Sequence, residues 1–221
     1  MYLENISKYI TSGAIFAKNK KAYRKNSSGP VLLTILAGIV PGVVLRGYYL
    51  CLTAILVILA FSCALSVYRI TSNILTLKKK LILETIIYGT WVSELSILEF
   101  MYFTMWKGVN FWVLLIYLPV ILVPIFAGIK ANKMMKGLNY IPKSIAQNNI
   151  RVVGFFAGIL GMNFMAIFRN IDQSIAIVIG LLCFSVLNGF MSLGLLSIQK
   201  LHYLKKYNLS ITTQGDGSPV S

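Results

Sequence analysis

Three carboxylates, Glu84, Glu94 and Glu99, fall inside one apolar run between Leu81 and Trp106, and no other residues in the chain are placed where their chemistry so needs an explanation. An ionisable group in hydrocarbon costs several kcal/mol unless it is paired, protonated or hydrated. On a helix Glu94 lies about 15 Å beyond Glu84, and Glu99 about 7 Å beyond Glu94. At about 100° per residue Glu84 and Glu99 fall within about 60° of each other, while Glu94 is turned about 80° from the first, so the three do not form one stripe. Glu84 is close to Lys78, Lys79 and Lys80 and is expected to snorkel to the membrane surface. Glu94 falls near mid-membrane with no Lys or Arg at its depth. Two roles are open to it: a neutral acid hydrogen-bonded to a neighbouring helix, or a proton or cation relay or a contact for a cationic partner.

Other reactive groups do not converge. A nucleophile needs a base within reach, and a metal needs three or four ligands. The one histidine, His202, lies in a basic segment beside Tyr203 and Lys205, and Cys51, Cys63 and Cys183 are scattered through apolar runs without paired spacing. There is no phosphate-binding Walker loop, no Gly-rich dinucleotide turn and no zinc-protease helix motif. The reading is of a protein that is not an enzyme and uses no cofactor and no metal.

The elements that must carry the glutamates follow from hydropathy. Of 221 residues 57% are apolar and 12% charged, and the mean hydropathy is +0.75. That balance excludes a soluble globular enzyme. A membrane-crossing helix needs about 20 mostly apolar residues, and six runs qualify: 30–45, 48–68, 81–106, 111–129, 152–168 and 174–198. The expected fold is all-α, a polytopic bundle of six transmembrane helices arranged as three hairpins. A basic leader, 1–29, precedes it; Leu3, Ile6 and Ile10 recur there at helical spacing and could lie in the headgroup region. A basic and then disordered tail, 199–221, follows.

The net charge of +15 would point to nucleic acid in a soluble protein, but here the basic residues sit between the apolar runs and act as topology signals. All but three of them fall in the leader, the second-to-third and fourth-to-fifth connections and the tail; the exceptions are Arg46, Lys107 and Arg169, in the other three turns. Both termini are therefore expected in the cytoplasm of a cell-membrane protein, against an anionic inner leaflet and with no nucleic-acid partner. A five-span alternative, with 81–106 lying on the surface as an amphipathic helix, would split the basic connections between the two sides.

Small residues four apart let helices approach closely. Gly38 with Gly42, Gly154 with Gly158, and Ala157 with Gly161 are the candidate packing positions. Pro41 interrupts the first run, and Pro119 and Pro124 interrupt the fourth, where the carbonyls they free need partners inside protein. The expected consequence is a kink beside the glutamate-bearing third helix, with a cavity between the two.

Two stretches are similar to a family of membrane proteins of low-GC Gram-positive bacteria, the tandem five-transmembrane proteins, some of which act as immunity proteins against type VII secreted membrane-depolarising toxins. The first is Gly29-Pro30-Val31 with the run to Gly42-Val43-Val44-Leu45-Arg46-Gly47-Tyr48; the second is Leu195 to Lys206, including Ile198-Gln199-Lys200-Leu201-His202. Together they cover about a seventh of the chain and depart from the family in the number of spans and in the length of the leader. The resemblance implies a non-enzymatic protector that binds and neutralises a membrane-targeting toxin within the bilayer. The residues themselves leave a second function open, a small transporter or a permease subunit working with a partner subunit, with Glu94 as its intramembrane acidic site.

Overall fold

The computed structural model describes residues 2–11, 19–108, 113–137 and 173–209. The fifth predicted span, 152–168, with Gly154, Gly158 and Gly161, lies outside them, as does the tail from Ser210. Among the described residues every regular element is helical, and four stretches are long and apolar enough to cross a membrane: Lys20–Leu45, Tyr48–Ser72, Leu77–Met105 and Ile177–Lys206.

The first of these is built from α2 (Lys20–Asn26), α3 (Ser28–Leu33), a π-helical segment (Thr34–Ile39) and α4 (Val40–Leu45). It starts ten residues before the run read from hydropathy, because Asn19 caps α2 by accepting from the Ala22 amide at 2.9 Å. Pro30 is tolerated in the first turn of α3, where backbone donors have no intrahelical acceptor to satisfy. Pro41 has no N–H to give Ala37, and the chain takes wider π turns just before it. Arg46 and Gly47, both at positive φ (57° and 59°), then reverse the chain into α5 (Tyr48–Ser72), giving the expected tight hairpin.

Glycines set the closeness of that hairpin. A Cβ on Gly42 would overlap the Thr53 side chain, and one on Gly38 would come within 2.8 Å of Leu56. Thr53 uses the space to donate to the Gly38 carbonyl at 3.1 Å. On the opposite face of α5, Ile58, Phe61 and Leu65 are exposed, an apolar face of the kind that lipid would cover.

Helix α6 (Leu77–Lys107) is the centre of the bundle, packed on α5, on α8 (Gln173–Ser192) and on α9 (Leu196–Lys206). Thr76 caps its start, so it begins before the lysine cluster instead of after it. A 3-10 turn, Leu193–Leu195, separates α8 from α9. There Gly194 lies against the ring of Tyr88, leaving no room for a Cβ. Helix α7 (Val113–Lys136) runs through Pro119 and Pro124 as one element. It packs chiefly on α8 and only lightly on α6, so the proline-bearing helix is not the main neighbour of the glutamate-bearing one.

Helix α1 (Tyr2–Thr11) is docked on the bundle. Ile6, Tyr9 and Ile10 are buried against Leu77 and Leu81 at the start of α6, Met135 at the end of α7 and Tyr203 in α9, while Leu3 stays exposed. The Asn5 amide donates to the carbonyls of Met135 and Gly137, both at 3.2 Å, satisfying acceptors left free where α7 ends. The apolar face expected in the headgroups is thus taken up by protein. The basic segment after Ile198 remains helical to Lys206 for the same reason, since Lys200 and Tyr203 are buried in this contact.

Candidate functional site

The three glutamates of α6 are all buried, each facing a different neighbour. Glu84 is 3% exposed, which overturns the expectation that it snorkels. Tyr23 of α2 donates to its Oε1 at 3.5 Å, and Lys200, itself buried, is near enough for its charge to be felt. The Lys200 ammonium also lies 5.1 Å from the centre of the Tyr9 ring. Glu84 therefore belongs to a charge-compensated cluster at the end of the bundle where α1 docks. Tyr23 and Lys200 come from α2 and α9, which its place beside Lys78–Lys80 in sequence does not show.

Glu94 has no such compensation. It is fully buried, and neither carboxylate oxygen makes a hydrogen bond. Thr34, the first residue of the π-helical segment, faces it. The Thr34 hydroxyl is also buried without a hydrogen-bond partner. Cys63 of α5 lies on the same side, next to Thr90 one turn earlier on α6. Buried polar groups in folded proteins are nearly always satisfied, so three orphaned oxygens facing one another mark a place where something further can bind. The adjoining π-helix points the same way, since such turns collect at functional sites.

Glu99, also fully buried, faces α8. Its Oε1 accepts from Asn188 Nδ2 at 3.3 Å, and the same nitrogen donates to Ser96 Oγ at 3.0 Å. Ser185 lies beside it. Glu99 Oε2 and Asn188 Oδ1 are both buried and unpartnered. On α6 Glu94 and Glu99 point about 140° apart, so they serve two separate contacts, with the first membrane segment and with α8.

Thr34 and Asn188 were not among the residues picked out by type and spacing. A signal existed for each: Thr34 is the one hydroxyl in the first apolar run, and Ser185, Asn188 and Ser192 recur at spacings of three and four along one face of the last. The packing glycines Gly38 and Gly42 contact α5, and Pro41 lies in the first turn of α4, just after the π-helical segment that begins at Thr34. Among the described residues no three His, Cys, Asp or Glu side chains gather as a metal site. Comparisons with family models, with curated proteins and with solved structures each return no match.

Proposed function

We propose that this is a non-enzymatic cell-membrane protein, crossing six times with both termini in the cytoplasm, and that it works as a small transporter or permease subunit with Glu94 as its binding site for a proton or small cation. The observation that carries this reading is the orphaned set of Glu94 Oε1, Glu94 Oε2 and Thr34 Oγ1, three buried oxygens with no donor among them but one hydroxyl proton. A charge near mid-membrane that faces other helices, next to an irregular helix, is what an ion pathway requires. The orientation is supported by the meeting of the start of α6 and the ends of α7 and α9 at α1, the end that carries Lys78–Lys80, Lys133, Lys136, Lys205 and Lys206 and so suits an anionic leaflet.

The test is flux through purified protein in sealed vesicles, read with pH-sensitive and potential-sensitive dyes. The reading expects movement of protons or of a monovalent cation above that of empty vesicles; vesicles as tight as empty ones to every ion offered would oppose it. The second reading, toxin neutralisation, is supported by the resemblance, whose two stretches coincide with the α4–α5 turn and with α9. It expects cells carrying the protein to resist depolarisation by a toxin encoded beside it, without flux in vesicles.

A further inference from the structure

The contact between Glu99 and Asn188 is incomplete in a way that specifies what completes it. Both side chains are fully buried, on α6 and α8. One hydrogen bond joins them, Asn188 Nδ2 to Glu99 Oε1, and the two atoms left over, Glu99 Oε2 and Asn188 Oδ1, are both acceptors without a donor. A carboxylate brings no proton of its own, the Asn188 amide already gives its donors to Glu99 and Ser96, and the one hydroxyl proton of Ser185 beside Glu99 can satisfy only one of the two. Turning the amide over does not help, because it sets Oδ1 against Glu99 Oε1, acceptor to acceptor. A proton added on Oε2 turns one orphan into a donor, and the other orphan, Asn188 Oδ1, is the acceptor on the residue that Glu99 already contacts.

We propose that Glu99 and Asn188 form a proton-binding site, a carboxylic acid closed onto a carboxamide, which holds one proton between α6 and α8. A metal cation is the poorer occupant, because the amide presents N–H to the carboxylate, and N–H repels a cation. The groups facing Glu99 are Asn188 and Ser185 of α8, and among the described residues no charged side chain faces it from α5, α7 or α8. Glu94, the nearest carboxylate on its own helix, is turned away from it. The proposal rests on the Glu94 reading only in its consequence: if Glu94 carries flux, a neighbouring site built for H⁺ makes the proton the coupling ion.

Infrared spectroscopy of the full chain in lipid vesicles tests it, since a protonated carboxyl and a carboxylate absorb in separate regions. A protonated-carboxyl band is expected that is lost in Glu99→Gln, survives in Glu94→Gln, moves to higher frequency in Asn188→Ala, and is unchanged by Na⁺ or K⁺. The amide introduced by Glu99→Gln can still make both hydrogen bonds to Asn188, so that variant folds. A Glu99 that absorbs as a carboxylate in neutral buffer, or a band abolished by Na⁺, would overturn the proposal. Flux measured on the same vesicles keeps the two claims apart: leak-free wild type with the Glu99 band present removes the Glu94 reading and leaves the proton site standing.

Discussion

Replacing Glu94 with methionine should make the protein more stable, not less, and the size of the gain follows from what the carboxyl lacks. Glu94 is fully buried and neither oxygen has a partner. A buried polar group left unsatisfied costs about 1–3 kcal/mol. Methionine is of similar length, has nearly the same helix propensity and adapts to irregular space, so repacking should return less than about 1.5 kcal/mol of this. The net expectation is a stabilisation of about 1 kcal/mol, read as a higher midpoint in denaturant titration of the protein in mixed micelles. Thr34→Val removes the facing hydroxyl, and a double-mutant cycle with Glu94→Met measures what that hydroxyl gives the carboxyl. A loss of more than about 1 kcal/mol in Glu94→Met would refute the reasoning by showing that the carboxyl holds the structure together. A carboxyl whose removal stabilises is one retained for another purpose, the usual pattern at working sites.

Three further outcomes follow from the packing. Gly194→Ala drives a methyl into the Tyr88 ring and should cost about 1–3 kcal/mol, partly recovered in a Tyr88→Leu background, by the same titration. Gly42→Val displaces Thr53 and its hydrogen bond to the Gly38 carbonyl, with a loss of similar size, about 1–3 kcal/mol. Asn5→Ala removes both hydrogen bonds to the end of α7 and should cost about 1–2 kcal/mol, seen as faster hydrogen exchange in α1 while α5 is unchanged.

Much of the fold is legible along the chain and much of the site is not. Continuous apolar runs suffice to find α5, α6, α7 and α8, since a run of that length and composition marks a helix by itself, and Arg46-Gly47 marks the hairpin between α4 and α5. The runs do not show where the first helix begins, because the Asn19 cap and α2 lie in a basic, polar stretch. Nor do they show what α1 packs on. Its Ile6 and Ile10 announce an apolar face, but the partners Met135 and Tyr203 are distant in sequence. The glutamates divide in the same way. Their presence on α6 is plain, whereas the difference between Glu84, compensated by Tyr23 and Lys200, and Glu94, compensated by nothing, depends on which helices surround α6. Asn188 shows its significance only once α8 is laid against Glu99.

If Glu94 takes up and releases charge, as proposed, transport must depend on its titration. Flux into sealed vesicles by wild-type protein and by Glu94→Gln, at equal amounts of folded protein, measures this directly, because glutamine keeps the shape and cannot titrate. The account predicts proton or cation movement in the wild type and a rate no higher than that of empty vesicles in the variant; a variant that carries the ion at the wild-type rate would contradict it.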